Sequence, residues 1–318
     1  MAYTAGDSIL DDEYNDFVGS SSSPFGYNHF AGTGSGEYGL NQTSIATVSA
    51  GGTITASSWN SLFTGLDNIA NHTNVSITSS SVSAGDAIAV RSALISDLAS
   101  LAAAVAAGST SATAISTPAA AGSSSNSATW NSTSTIERSI TFANSATMRA
   151  FFNAGGYIRI DPSCTTGIDG SKDDVFNDLT TTAIGNLDLK AHITSRSGSG
   201  ETLTTDGLAN GFHELSTGYT VLLKLTSDNS GYTSNTVEIS AKLDAAPATA
   251  TVLTIKMVST DPADDNTYTA GNTDGVPANP DEAPIMVLAL LEAYPTDAEG
   301  LAADIRAASN AEVSNSQS

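Results

Sequence analysis

The residues that could carry out chemistry in this chain are few, and the histidines come first among them. The four histidines stand far apart, at positions 29, 72, 192 and 213, and show none of the spacings that zinc ligands adopt. The stretch Gly211-Phe212-His213-Glu214 lacks the second histidine of a zinc-protease motif and lies where the pattern predicts a strand. We therefore predict a structural role for each histidine.

A cysteine nucleophile is equally poorly supported. The chain has one cysteine, Cys164, so no disulfide can form within the chain. It lies in Asp161-Pro162-Ser163-Cys164-Thr165, with no histidine nearby in sequence that could activate the thiol. We predict a structural thiol.

Two acidic stretches suggest calcium as the one cofactor worth considering. The stretches Asp169–Asp174 and Asp261–Asn266 offer carboxylate and amide oxygens in predicted loops. Calcium takes six to eight oxygen ligands, and neither stretch matches the EF-hand spacing. Solvated loop carboxylates are the alternative interpretation, and apart from calcium we predict no cofactor.

Motifs of other enzyme classes are absent from the sequence. It contains no Gly-x-Ser-x-Gly elbow, no His-Glu-x-x-His pair and no phosphate-binding Walker sequence. Paired carboxylates for glycoside cleavage are defined by distance in space, which a sequence does not give. The long β-helical repeat typical of polysaccharide depolymerases is not visible. We predict that the chain is not an enzyme, with a polysaccharide hydrolase as the less favoured alternative.

The composition narrows the classes of partner. Only 14% of the 318 residues are charged, and 11 Lys and Arg stand against 33 Asp and Glu, which gives a net charge of −22. Phosphate contacts need basic side chains, so this balance argues against nucleic acid and against anionic membrane surfaces. No apolar run reaches the roughly 18 residues of a membrane span. No secretory signal follows Met1, so we expect synthesis inside a cell, wherever the protein finally acts.

A segment near the N-terminus is duplicated. Ala5–Phe17 returns as Ala50–Leu62, sharing a glycine, a Ser/Thr-Ile pair, an aromatic-Asn pair and then an apolar residue. Each copy predicts a short extended piece, a polar cap and the first turns of a helix. A duplicated docking unit suits a part of an assembly better than an enzyme.

The first 80 residues are rich in Gly, Ser and Asn and carry scattered aromatic residues. Their apolar residues have too little periodicity to predict a compact core, except in a helix over 57–71. We therefore expect residues 1–80 to form an extended anchoring arm whose aromatic side chains insert into neighbouring subunits.

Residues 81–134 are predicted to form an Ala-rich helix followed by a Ser/Thr linker. Within 84–107, Leu94, Leu98, Leu101 and Val105 follow one another at helical spacing. This seam could pack on its own domain or mediate self-association, and the sequence leaves both open.

The remaining chain predicts strands. Residues 135–295 alternate apolar and polar side chains between Gly- and Asn-containing turns, which indicates an antiparallel β-sandwich. Residues 296–318 are Ala-rich and acidic and predict a helical tail. The predicted fold class is thus mainly β: a C-terminal antiparallel β-sandwich, preceded by an extended N-terminal arm and a short helical segment.

Several motifs within roughly 135–290 resemble a module in virion structural proteins of tailed bacteriophages. In that module a Phe-Phe-Asn-Ala-Gly-Gly helix end leads into a strand. The matching stretches are Thr135–Phe142, Met148–Ile160, Gly211–Ser216, Tyr232–Lys242 and Asp274-Gly275. The N-terminal frame is similar to segments that open such proteins. The resemblance implies a tail, neck or capsid appendage, and the family has no catalytic residues to transfer.

We therefore expect a virion structural protein, a tail or neck fibre or baseplate appendage that docks by its N-terminal arm. A capsid decoration protein or a receptor-binding protein for host attachment is the alternative. The partners would be tail, neck or portal-proximal subunits, and the chain would form a homotrimer. The residues expected to make assembly contacts are Ile9, Tyr14, Phe17, Ile54, Trp59, Leu62, Leu94, Leu98, Leu101 and Val105.

Overall fold

The computed structural model describes twelve stretches of the chain. They are residues 11–19, 26–32, 39–83, 91–109, 115–116, 122–127, 130, 132–165, 170–229, 232–262, 283–295 and 307–317. The chain divides into two compact units. The first unit comprises 1–116, 144–156 and 294–306, and the second comprises 117–143, 157–293 and 307–318.

In the described stretches the chain is mainly β, with helices concentrated toward its N-terminus. The α-helices are α1 (Asp11–Val18), α2 (Tyr27–Phe30), α3 (Ala56–Thr73), α4 (Arg91–Ala106), α5 (Ser145–Asn153) and α6 (Gly170–Asn177). A π-helical turn, Asp178–Ile184, continues α6, and a 3-10 turn spans Phe212–Glu214.

All strand pairs in these stretches are antiparallel. The strands are β1 (Ile115–Ser116), β2 (Gly122–Ser125), β3 (Thr133–Phe142), β4 (Tyr157–Cys164), β5 (Leu187–Leu189), β6 (Thr194–Arg196), β7 (Thr202–Asp206), β8 (Thr220–Thr226), β9 (Thr236–Leu243), β10 (Val252–Thr260), β11 (Met286–Pro295) and β12 (Ala307–Gln317). They form two six-stranded sheets. Sheet A has the order β1-β11-β4-β5-β6, with β2 also on β11, and sheet B has the order β12-β3-β10-β9-β8-β7. The mainly β prediction is confirmed, and the sandwich packing of the sheets stays a prediction.

The strands of sheet B follow the alternation that the sequence predicts. Along β3, every second residue from Ser134 to Phe142 is buried, including Ile136 and Ile140. Neighbouring residues on a strand point to opposite faces, so this pattern gives the sheet one buried face. Arg138 is also on that face, where its guanidinium donates a hydrogen bond to the Ser124 hydroxyl.

Between β3 and β4 the end of a helix leads into a strand, as the resemblance of Met148–Ile160 implies. Asn144 caps α5, because its side-chain oxygen accepts a hydrogen bond from the Thr147 N–H at 2.8 Å. The helix ends at Asn153, and the chain enters β4 at Tyr157. Gly155, with φ of +86°, makes the turn between them.

The prediction for the C-terminal residues is wrong over 307–317, which form β12 and not a helix. The strand pairs with β3 along the edge of sheet B. Its residues are rich in Ser and Asn and have no helical apolar stripe, so a free edge of the sheet decides their conformation. Residues 108–134 are predicted to form a linker or an extended crossing segment. Within them β2 pairs with Val287–Leu290, and Trp130 forms a bridge with Ala283.

Candidate assembly site

The residues expected to touch other subunits lie in a core formed by their own chain. Ile54 is half-buried and Ile9 lies outside the described residues. The other eight are at most 4% exposed: Tyr14, Phe17, Trp59, Leu62, Leu94, Leu98, Leu101 and Val105. The expectation was that the first 80 residues could not build a core alone, and helices α1 to α3 build this one together with α4 of the same chain. An anchoring role for this region stays a prediction.

The core of the first unit centres on Trp59. The Tyr14 ring meets it edge-on at 5.2 Å between centroids, the Phe17 ring lies at 6.0 Å, and the Phe63 ring stacks on it at 5.8 Å. The Tyr14 hydroxyl donates to the Ser58 carbonyl at 3.1 Å, and burial raises the Tyr14 pKa. Tyr14 and Trp59 occupy equivalent positions in the duplicated segment, so the two copies pack against each other.

The asparagine that follows each of these aromatic residues holds an extended piece of chain. The Asn15 amide nitrogen donates to the Val48 carbonyl at 2.8 Å, and its oxygen accepts from the Val48 N–H at 2.8 Å. The Asn60 amide nitrogen likewise donates to the Val82 carbonyl at 2.9 Å, and its oxygen accepts from the Val82 N–H at 2.8 Å. A side-chain amide thus pairs with both backbone groups of one residue, as a neighbouring strand would. We call this arrangement a backbone clamp.

Two further helices carry clamps. Asn28 of α2 pairs with both backbone groups of Ile45, each at 2.8 Å. Asp97 of α4 is 6% exposed and accepts from the N–H groups of Thr78 and Ser79, at 3.1 and 2.8 Å. Because a carboxylate has only acceptors, it holds two N–H groups where an amide holds an N–H and a carbonyl.

The four clamps hold two extended pieces of chain, 45–48 and 78–82, which we call the held segments. Helices α1 and α2 hold the first, and α3 and α4 hold the second. Every clamp contacts main-chain atoms, and the Asp97 carboxylate additionally accepts from the Ser79 hydroxyl at 2.6 Å. The residues between the clamped ones, including Ala46, Thr47, Ser80 and Ser81, are exposed. The held segments therefore lie on the surface of the first unit with a fixed backbone and accessible side chains.

The clamps are the functional candidates that sequence reasoning missed, although a signal for them exists. Both clamped valines begin an identical tetrapeptide, Val-Ser-Ala-Gly, at 48–51 and 82–85. The aromatic-Asn pair of the duplicated frame supplies the partner in each case. Asn15 and Val48 lie 33 positions apart, whereas Asn60 and Val82 lie 22 apart, so no constant offset connects them.

A glycine in α3 allows close packing beside this site. A Cβ built on Gly65 would lie 2.7 Å from the Tyr27 ring. We expect Gly65→Ala to destabilise the first unit by about 1–2 kcal/mol, because overpacking against a rigid ring outweighs the roughly 1 kcal/mol gain in helix propensity. Thermal unfolding measures the effect, with Ser61→Ala at an exposed position of the same helix as control. Stabilisation by Gly65→Ala would show that the Tyr27 ring moves aside freely.

The two acidic stretches considered for calcium meet in the second unit through an ion pair. The Lys172 ammonium lies 2.7 Å from a carboxylate oxygen of Asp261, and neither side chain is exposed to solvent. Residues 263–266 lie outside the described part. Among the residues that the structure describes, no group of three or more His, Cys, Asp or Glu side chains is placed to hold a metal ion.

Two of the histidines that stand apart in sequence come together in space. The rings of His192 and His213 stack at 4.8 Å with 23° between their planes, and His192 Nδ1 lies 3.1 Å from a carboxylate oxygen of Glu214. His213 belongs to the 3-10 turn, not to the predicted strand. Lone pairs of nearly parallel rings do not converge on one point, so the stacking does not form a shared metal site. A structural role for these histidines stays the interpretation.

Cys164 ends β4, and burial raises the pKa of its thiol to about 11. At pH 8 the thiolate fraction is then roughly two orders of magnitude below that of a free cysteine. We expect iodoacetamide to modify Cys164 far more slowly in the folded protein than in urea at the same pH. Alkylation followed by mass spectrometry measures both rates. Equal rates would mean that the thiol is a reactive, exposed group.

None of the helices in the described stretches is long and apolar enough to cross a membrane. Comparison of the chain with protein-family models, with curated proteins and with solved structures finds no match.

Proposed function

We propose that the chain is a structural subunit of a tailed-bacteriophage virion, a tail or neck fibre or baseplate appendage without enzymatic activity. It docks on other virion proteins through its first unit after synthesis in the host cytoplasm. Two kinds of support stand behind the proposal. The stretches within 135–290 resemble a module of such proteins, and the acidic, sparsely charged composition argues against nucleic-acid and membrane partners.

The observation that carries the docking role is the set of four backbone clamps. They fix the held segments in an extended form on the surface without occupying the exposed side chains between the clamps. An extended chain with a fixed backbone is pre-organised, so a partner that contacts it loses less conformational entropy on binding. This replaces the idea of a coreless arm: the first unit folds on itself and presents the held segments to its neighbours.

The test replaces clamp asparagines with leucine, which has a similar size but cannot pair with the backbone. We expect Asn15→Leu with Asn60→Leu to loosen the Val48 and Val82 ends of the held segments, which Asn28 and Asp97 then hold at one end only, because each substitution removes two hydrogen bonds worth about 1 kcal/mol apiece. Incorporation into phage particles should then fall at least tenfold, measured by immunoblot of purified particles. Circular dichroism should still report the folded sheets.

The matched control is Asn71→Leu, an exposed asparagine on the same helix as Asn60. It should be incorporated like the unaltered chain. Normal incorporation of the double variant would count against docking through the held segments. Labelled antibody fragments on whole particles would distinguish a tail position from capsid decoration, and binding of the purified chain to host cells would indicate a receptor-binding role.

The proposed homotrimer has its own measurement. Light scattering on the purified chain should give three times the mass of 32.2 kDa. A monomer would mean that the subunits associate only on the particle.

A further inference from the structure

The ion pair between Lys172 and Asp261 is unusual in being wholly enclosed. Nζ of Lys172 lies 2.7 Å from an oxygen of Asp261, and both side chains have zero exposure. Taking two charges out of water costs several kcal/mol per ion, and their attraction only partly offsets this. The presence of this enclosed lysine and carboxylate is therefore not explained by a gain in stability alone.

Lys172 and Asp261 each belong to a part of the chain that is fixed by contacts of its own. Lys172 is on α6 one turn before Phe176, whose buried ring meets the Trp130 ring at 5.2 Å, so this face of the helix is apolar. Asp261 follows β10 directly, and its N–H donates to the Ser132 carbonyl at 2.9 Å. The Lys172 ammonium and the Asp261 carboxylate are thus fixed at hydrogen-bonding distance from each other.

The ion pair and its uncharged counterpart differ only in the position of one proton. In a medium of low dielectric constant, transfer of the proton from an ammonium to a neighbouring carboxylate yields an uncharged amine and a carboxylic acid. An uncharged amine has a free lone pair and is a nucleophile. Held at about 3 Å from a carboxyl group, it gains an effective concentration that no free amine reaches.

We propose that Lys172 and Asp261 condense into an intramolecular isopeptide bond. The ammonium first passes one proton to the carboxylate. The Nζ lone pair then attacks Cγ of Asp261, the Nζ–Cγ bond forms, and a second proton moves from the nitrogen to the departing hydroxyl. The Cγ–O bond breaks and one water molecule leaves. Nothing is oxidised or reduced, and no further reactant is required.

The bond would join α6 covalently to the residue that directly follows β10. Pulling on the second unit could then not separate these elements. A covalent link of this kind restricts the unfolded chain as a disulfide does, but it is insensitive to reducing agents. The inference stands independently of the proposed function.

The intact mass of the purified full chain tests the proposal. We expect a mass lower by one water molecule than the sequence requires, and a branched peptide containing Lys172 and Asp261 after proteolysis. Lys172→Arg keeps the charge but should show the full sequence mass. Asp261→Asn is the decisive variant: its amide would lose ammonia instead of water and reach the same final mass as the linked unaltered chain.

An unaltered chain with the full sequence mass and no branched peptide would overturn the proposal and leave an ordinary ion pair. The branched peptide is measured on the unaltered chain, so the outcome stays clear even if Lys172→Arg fails to fold. A loss of water without the branched peptide would place the loss elsewhere and would also overturn it.

Discussion

The Asp261→Leu variant should unfold with a free energy about 3–5 kcal/mol lower than the double variant Asp261→Leu with Lys172→Met, because the single substitution removes the carboxylate 2.7 Å from the buried Lys172 ammonium and keeps the charge. The double variant has apolar side chains of similar volume at both positions, and neither variant can form the covalent link. Urea unfolding of the single and double variants measures the difference.

The reference for this experiment is a substitution at a partly exposed ion pair. Lys224 and Glu238 approach to 3.4 Å with about a third and a quarter of their side chains exposed. Exposed pairs contribute about 0–1 kcal/mol, so Glu238→Leu should change stability little. If Asp261→Leu were as mild as this control, the buried ammonium would be escaping to water, and the enclosed site would not exist as described.

The second large effect is expected in the first unit, where Trp59→Ala should cost about 3–5 kcal/mol. The Trp59 side chain is 2% exposed and contacts Tyr14 and Phe17, so its removal opens a cavity between the two copies of the duplicated segment. Trp59→Phe retains part of the ring contacts and should cost less. Thermal unfolding followed by near-ultraviolet circular dichroism reports this aromatic cluster directly.

Phe63→Ala is the matched control, because Phe63 stacks on the same ring from a half-buried position. Its cost should be clearly smaller than that of Trp59→Ala. A negligible effect of Trp59→Ala would mean that the first unit is held together elsewhere. It would restore the expectation of an arm that gains order only on its partners.

Local pattern was enough to predict the elements whose residues decide their own conformation. The helix predicted over 57–71 is α3, and the alternating apolar residues after Thr135 form β3. The Asn144 cap and the turn into β4 follow from residues within a few positions of one another. Core formation in the first unit was not predicted, because α1 has few apolar residues. Its Tyr14 and Phe17 side chains contact Trp59 of α3, which is distant in sequence.

Features that depend on distant residues escaped prediction for a common reason. The clamps join positions 17 to 33 residues apart, with no fixed offset. The partner of Lys172 lies in a stretch that looks like a solvated acidic loop, and β12 is a strand because the edge of β3 is beside it. In each case the local sequence pattern does not show which distant residues come into contact when the chain folds.

The clamps also bear on how such a chain can change over generations. Three of the four asparagine and aspartate side chains bond main-chain atoms only, and every residue type carries a carbonyl and nearly every one an N–H. The exposed positions of 45–48 and 78–82 can therefore be replaced freely while their path across the surface stays the same. Substitution at these exposed positions would keep the path of the held segments, whereas substitution of Asn15, Asn28, Asn60 or Asp97 would remove the hydrogen bonds that fix it.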